Sequence, residues 1–100
     1  MAMEFPLEQY VIVRTESAGV FAGTLTAVDD KYARLSDARR LWAWRGAASL
    51  SELAQRGTSN PAGCKFPMAV SSVVLRGWIE ILPVTVAARA TIDAVPVWTS

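Results

Sequence analysis

The sequence lacks histidine altogether and contains a single cysteine, Cys64. The side chain most often used as a general base and as a metal ligand is therefore missing. One cysteine cannot close an internal disulfide, and alone it cannot supply the Cys and His ligands of a zinc site. We therefore expect a chain without disulfides that is not an enzyme and that holds neither a metal nor a cofactor.

Charged residues are also few. They make up 19% of the 100 residues, and ten basic against nine acidic side chains leave a net charge of +1. A chain this close to neutral has no overall field to attract a membrane or a nucleic acid. Soluble domains average about 25% charged residues, and a small domain with fewer often covers apolar surface in an oligomer. We expect a homo-oligomer with no membrane partner, and any nucleic-acid binding would have to use a local basic site.

Long apolar runs are absent, and no stretch approaches the roughly 20 residues that a membrane-spanning helix needs. Met1–Glu4 is followed at once by Pro6 and Glu8, without the basic start and apolar core of a secretory signal. We therefore expect a soluble, cytoplasmic protein. The 100 residues, 52% of them hydrophobic, suffice for one domain that spans 1–100 and has its own core.

What the sequence does contain is a series of short β-branched and aromatic runs separated by turn residues, a pattern typical of strands. The predicted strands are Tyr10–Thr15, Val20–Val28, Lys31–Ser36, Ala38–Gly46, Pro67–Leu75 with an interruption near Ser71–Ser72, and Trp78–Leu82. Gly23 inside the second strand indicates a bend or bulge, and Asp29-Asp30 predicts a hairpin turn. Met1–Gln9 is expected to form an extended arm, because Pro6 disfavours helix before it.

Two helices are predicted among these strands. Ser49-Leu50-Ser51-Glu52 fits a capping box, in which Ser49 binds the amide of Glu52 and Glu52 reaches back to the cap. Gly57 ends this helix. A second, shorter helix is predicted over Thr85–Asp93, with Thr85 as its N-cap.

The first four predicted strands resemble a small SH3-like barrel. More narrowly, Val11–Val13, Gly19, Gly23–Leu25, Asp29 and Leu35 resemble the Sm-like pattern of strand, glycine turn, Gly-x-Leu strand, acidic turn and strand. The leading helix and the second motif of Sm proteins are missing, so Sm-like RNA binding does not carry over. We expect a β-rich α+β fold: a small, partly open SH3-like barrel with one helix after the fourth strand and a short C-terminal helix.

The stretch that carries the most distinctive chemistry is the predicted strand Ala38–Gly46. Strand alternation would place Arg40, Trp42 and Trp44 on one face, and Arg39, Leu41, Ala43 and Arg45 on the other. Flat rings beside a guanidinium suit stacking on a planar, anionic ligand. They suit a buried core or subunit interface as well. The candidate ligand-binding residues are Arg39, Arg40, Trp42, Trp44 and Arg45.

Other candidate sites are better explained structurally. Cys64 stands beside Lys65 but has no evident base, which indicates a plain loop thiol. Asp29-Asp30 fits a turn better than a metal site, and 57–60 lacks the spacing and lysine of a phosphate-binding loop. Glu80 is expected to pair with an arginine such as Arg39.

A pattern of glycine, aromatic, arginine and proline residues extends over nearly the whole chain. It consists of Val11–Thr15, Ala18–Val20, Ala38–Trp44, Gly46–Ala47, Ser49–Leu50, Leu53–Ala54, Gly57–Thr58, Pro61, Lys65–Pro67, Ile79–Val84 and Val95–Trp98. In this pattern the chain resembles an uncharacterised family of small phage and prophage proteins. The resemblance implies phage or prophage origin, and hence the cytoplasm of a bacterial host, but it implies no activity.

Two classes of function compete on this basis. In the first, a non-enzymatic phage accessory protein sequesters a nucleotide or cyclic nucleotide that serves as a host immune signal, with arginines on phosphate and tryptophans on the base. In the second, the same residues form the interface of a homo-oligomeric interaction or assembly module. A third reading, weak binding of single-stranded nucleic acid along the barrel, is disfavoured by the near-neutral charge.

Overall fold

The computed structural model describes residues 4–99, which form five antiparallel strands and two α-helices. In chain order the elements are β1 (Tyr10–Thr15), β2 (Val20–Val28), β3 (Tyr32–Arg40), α1 (Leu50–Arg56), a short 3-10 turn (Pro61–Gly63), β4 (Val70–Arg76), β5 (Trp78–Pro83) and α2 (Val86–Asp93). The predicted β-rich α+β class is confirmed. Within residues 4–99 no helix has the length and apolar character to cross a membrane. The first three residues of the predicted arm lie outside the described part.

The sheet is open, with strand order β4-β3-β2-β1-β5, but it is strongly curled. Its two edge strands, β4 and β5, are separated in sequence by Gly77 alone, so the two edges must meet at this corner. Gly77 bonds to both sides: its amide donates to the carbonyl of Lys31, and its carbonyl accepts from the amide of Glu16. The predicted turn at Gly77 is confirmed, and its φ of +78° suits a residue without a side chain.

The curled sheet is buried on both faces of its central strands. Strands β1 to β4 contribute to an inner core, which contains Val11, Val13, Phe21, Leu25, Ala33, Leu35, Ala38 and Leu75. Trp78 and Ile81 of β5 are partly buried and pack against it. The helices and the C-terminal segment cover the outer face, where the core contains Ile12, Ala22, Leu41, Leu53, Ala54, Cys64, Phe66, Ile92 and Val95. The uninterrupted apolar run of β1 follows from this arrangement, because successive side chains of that strand enter different cores.

A β-bulge between β2 and β3 reverses the facing of the end of β3. Ala22 pairs with Arg39 and Thr24 pairs with Ser36, so one residue of β2 lies opposite two of β3. Asp37, in the bulge, has a φ of +48°. A side chain at Gly23 would lie 2.9 Å from the carbonyl oxygen of Ser36, so the glycine is required there. The bulge predicted from Gly23 is confirmed.

Both helices begin at the predicted caps. Ser49 Oγ accepts from the amide of Glu52 at 3.1 Å, and the Glu52 carboxylate accepts from the amide of Ala48 at 2.6 Å. In α2 the Thr85 hydroxyl accepts from the amide of Ala88 and donates to the carbonyl of Gln55 in α1. This bond ties the two helices together on the outer face.

Two strand-level predictions are wrong. Residues 41–46 do not form a strand, because β2 begins at Val20 and offers no partner beyond the end of β3. No interruption occurs at Ser71–Ser72, since β4 pairs with β3 along that stretch. The predicted pairing of Glu80 with an arginine is confirmed, but the partner is Arg14, at 3.0 Å, rather than Arg39, because the β1–β5 register places Arg14 directly opposite Glu80.

Replacing the cap serine tests the start of α1. Ser49→Ala should lower the free energy of unfolding by about 1 kcal/mol, since the Glu52 amide loses its acceptor. Ser51→Ala, an exposed change inside the same helix, should stay within about 0.5 kcal/mol of wild type. Urea unfolding of the two variants measures the difference. Equal stabilities would show that the cap contributes nothing.

Candidate functional site

A groove of about 410 Å³ lies where the β1–β2 turn faces the segment that follows β3. Its lining residues are Ser17, Ala18, Gly19, Val20, Arg40, Leu41, Trp42 and Trp44. Arg40 is the one ionisable side chain in this lining. The groove therefore joins a single positive charge to two indole rings.

Arg40 is held in place before any ligand arrives. Its Nη1 donates to the carbonyl oxygen of Ala18 at 2.6 Å, and its guanidinium lies over the ring of Phe21, 4.3 Å from the centroid. The remaining guanidinium N–H groups make no other hydrogen bond within residues 4–99. A guanidinium has five N–H donors. Arg40 can therefore still donate hydrogen bonds to an anion while its position stays fixed.

The turn that positions Arg40 is itself well braced. The buried Thr15 side chain accepts from the amide of Ala18 at 2.8 Å and donates to the carbonyl of Gly19 at 2.8 Å. Gly19 takes a φ of +97°. The carbonyl that fixes Arg40 is thus part of a short, internally bonded turn.

The two tryptophans of the groove differ in exposure. Trp42 is 64% exposed, far more than a core tryptophan would be. Trp44 is half-buried and packs against the outer core. Trp42 can therefore present a ring face to a ligand, while Trp44 is partly a structural residue.

Backbone pairing with a distant segment holds the tryptophans in place. The amides of Trp42 and Ala43 both donate to the carbonyl of Lys65, and the amide of Lys65 donates back to the carbonyl of Ala43 at 2.7 Å. At the other end, the amide of Leu41 donates to the carbonyl of Val20. The segment 41–44, called the bridge below, is therefore anchored at both ends and lines the groove, although it is not a strand.

Arg39, also predicted as a ligand residue, is occupied elsewhere. Its guanidinium donates to four backbone carbonyls, at distances of 2.7 to 3.1 Å, those of Phe66, Pro67, Ile92 and Val95. It also lies 5.5 Å from the centroid of the Phe66 ring. Burial lowers the pKa of Arg39 from its ordinary value. The side chain joins β3 to the chain before β4 and to the end of α2, and it has no place in the groove.

Arg45 lies outside the groove as well. Its carbonyl accepts from the hydroxyl of Thr58 and contacts the Cys64 thiol at 3.6 Å. Cys64 is buried and also contacts the Thr58 hydroxyl at 3.7 Å, as expected of a structural thiol. The loop that follows α1 is thus packed against the bridge by its own polar side chains.

Of the five candidate residues, the structure brings together three, Arg40, Trp42 and Trp44. The β1–β2 turn, which forms the opposite wall, was missing from the prediction. Its signal was present in the sequence, since the turn at Gly19 sits at the start of the strand that pairs with Arg40. Pairing the two strands from their hairpin would have placed them side by side.

One known protein family matches the chain over most of its length. Residues 8–92 match the family described as a domain of unknown function (DUF6948). The chain belongs to this family. Searches of the curated proteins and of the solved structures each found no match. Both walls of the groove lie inside the matched region, so the DUF6948 domain contains the whole candidate site.

A second groove of the DUF6948 domain, of about 300 Å³, lies beside α2 and contains Tyr10. The guanidinium of Arg89 lies 4.3 Å from the centroid of the Tyr10 ring and 3.6 Å from the carboxylate of Asp93. Burial, with a smaller contribution from Asp93, raises the pKa of Tyr10 to about 12. Arg39 and Asp37 line the same groove, and its two acidic groups balance its two arginines, so it carries no net field for an ion.

The remaining candidates resolve as structural parts of the DUF6948 domain. Asp29 Oδ1 accepts from the amides of Lys31 and Tyr32, both at 2.8 Å, and these bonds lower the pKa of Asp29. The hairpin turn is confirmed. Within residues 4–99 no group of three or more Cys, Asp or Glu side chains is placed to hold a metal ion.

Removing the charge of Arg39 tests its structural role. Arg39→Met keeps much of the length but removes four hydrogen bonds to carbonyls, of which those of Phe66 and Ile92 keep a backbone amide donor. We therefore expect a loss of at least about 2 kcal/mol of stability. Arg34→Met, on the exposed face of the same strand, should cost less than about 0.5 kcal/mol. Chemical denaturation measures both. Comparable losses in the two variants would contradict the role assigned to Arg39.

The raised pKa of Tyr10 predicts alkaline sensitivity. The folded state keeps the phenolic proton up to about pH 12, whereas an unfolded tyrosine loses it near pH 10. The stabilisation is therefore complete below pH 10 and is lost as the pH rises towards 12. Tyr10→Phe should flatten this part of the stability profile, measured by urea unfolding from pH 9 to 12. An unchanged slope would show that Tyr10 does not cause it.

Proposed function

We propose that this protein is a non-enzymatic binding protein whose groove accepts a planar, anionic small molecule of the nucleotide class. The observation that carries the proposal is the presence of a 64%-exposed indole, Trp42, and a pre-positioned guanidinium, Arg40, in the lining of one groove. Stacking of a base on an aromatic ring contributes about 1–3 kcal/mol. A charge-assisted hydrogen bond adds about 1.5–3 kcal/mol. Together these two interactions contribute about 2.5–6 kcal/mol, which corresponds to dissociation constants from about 10 mM to about 0.04 mM.

The groups that would bind the ligand are already held in position, which favours binding. Arg40 is braced by Ala18 and Phe21, and the bridge that bears Trp42 is braced by Lys65. Groups that are already fixed lose little conformational entropy when a ligand binds. The groove lining has no second ionisable side chain to act as a base or nucleophile, which favours binding over catalysis.

A role in sequestration fits the phage or prophage origin that the sequence resemblance implies. A small protein that only binds a nucleotide signal can lower the free concentration of that signal by mass action, without chemistry. Its effect then depends on how many copies are made and on its affinity. Such a role requires a preformed site, and the fixed positions of Arg40 and Trp42 support one in the groove.

Calorimetric titration with adenosine monophosphate, alongside other nucleotides, tests the proposal. We expect wild type to bind. Trp42→Ala should weaken binding by about 1–3 kcal/mol, and Arg40→Gln by about 1.5–3 kcal/mol. Both residues are exposed, so neither change should lower the melting temperature much.

Matched controls come from outside the groove. Trp98→Ala removes a partly exposed indole that faces Lys65, and Arg34→Gln removes an exposed arginine elsewhere on β3. Both control variants should bind as wild type does. Absence of binding by wild type to every nucleotide in the panel at millimolar concentration would refute the proposal.

A second candidate function, assembly with further copies of the same chain, is favoured by the edge strand β4. Val70, Val74 and the nearby Met68 are exposed along this edge, and Met68 is 71% exposed. An exposed apolar edge strand can pair with another chain. Light scattering at micromolar concentration should then give at least a dimer. Val74→Lys should return the protein to monomers, and a monomeric wild type would exclude assembly.

A further inference from the structure

We propose that the groove selects nucleotides that carry a single phosphate group, with the phosphate at Arg40 beside Gly19 and the base on Trp42. This inference rests on the proposed function, since it names the ligand class of the same site. It follows from the count of charges, from the size of the groove and from the wall that the β1–β2 turn provides.

The charge count is the first argument. Arg40 is the one charged residue in the groove lining. A second or third phosphate would add negative charge without meeting a second cation in the groove lining. Bringing that charge into the groove costs hydration that no further cation there offsets.

The size of the groove is the second argument. Pockets for small molecules range over about 300–1,000 Å³, and at about 410 Å³ this groove lies near the lower limit. Leu41 and the half-buried Trp44 close its floor. The space suits one base, one sugar and one phosphate, and a second nucleoside would extend into solvent.

The β1–β2 turn supplies the third argument, because it fixes where the phosphate can lie. A Cβ atom at Gly19 would stand 3.2 Å from Nη1 of Arg40, closer than an ordinary van der Waals contact. The absence of a side chain there keeps the guanidinium approachable from the turn. A phosphate bound to Arg40 would therefore lie against the backbone of Gly19.

Titration calorimetry with adenosine monophosphate, cyclic adenosine monophosphate, diphosphate and triphosphate tests the selection. We expect the two single-phosphate ligands to bind with affinities within about threefold of each other, and the diphosphate and triphosphate to bind at least about threefold more weakly than the monophosphate. A diphosphate or triphosphate that does not bind more weakly by at least about this factor would overturn this inference and leave the proposed function standing. Binding of none of the four would refute both.

A pair of glycine variants tests the placement of the phosphate. Gly19→Ala should weaken monophosphate binding at least about fivefold, because the new methyl group presses on Arg40. Gly77→Ala carries the same kind of positive-φ strain, but its nearest atom would be 3.8 Å away and it lies outside the groove. It should bind as wild type does. Equal affinities in the two variants would overturn the placement.

Discussion

The bulge formed by Gly23 and Asp37 is the constraint on which the rest of the structure depends. Before it, Ala33 and Leu35 point into the inner core, and after it the same core receives Ala38. The facing of β3 has therefore shifted by one residue, at a point where only glycine fits opposite. The last two residues of β3 inherit the shift, and both are arginines.

Because of that shift, the adjacent side chains of Arg39 and Arg40 point to different faces of the sheet and have different partners. Arg39 turns to the outer face, where its guanidinium donates to four carbonyls of two segments, 66–67 and 92–95, that are remote from each other in sequence. Arg40 turns to the end of the inner core and rests on Phe21. An unbulged strand would exchange the two faces. Arg39 thus joins remote parts of the fold, whereas Arg40, held by Ala18 and Phe21, lies in the lining of the groove.

The sequence predicted the parts of the fold that local chemistry determines. β1, β2 and both helices begin where β-branched runs and caps place them, because those signals act within four residues. It could not predict that Trp42 and Ala43 pair with Lys65, since that partner lies about twenty residues away across a helix. Nor could it predict that the strand ends at Arg40, because that end depends on where the partner strand β2 begins.

The sequence predicted the chemistry of the candidate site, but it did not predict which residues form it. Strand alternation placed Arg40, Trp42 and Trp44 on one face. These three residues do line one groove, although the segment that carries the two tryptophans is not a strand. Arg39 and Arg45 could be excluded only through contacts with Phe66, Val95 and Thr58, all remote in sequence. A sequence does not show which remote backbone carbonyls will lie beside a given arginine. From the sequence alone, an arginine that binds such carbonyls therefore cannot be distinguished from one that binds a ligand.

The central claim, that adjacent arginines serve the fold and the groove separately, is tested most directly by NMR of the arginine side-chain Nε–H groups. The Nε–H of Arg39 donates to the carbonyl of Pro67 at 3.1 Å, so its signal should exchange slowly with water and should not move when adenosine monophosphate is added. The signal of Arg40 should exchange quickly in the free protein and should shift on titration. A ligand-induced shift of Arg39 with an unmoved Arg40 would contradict the account.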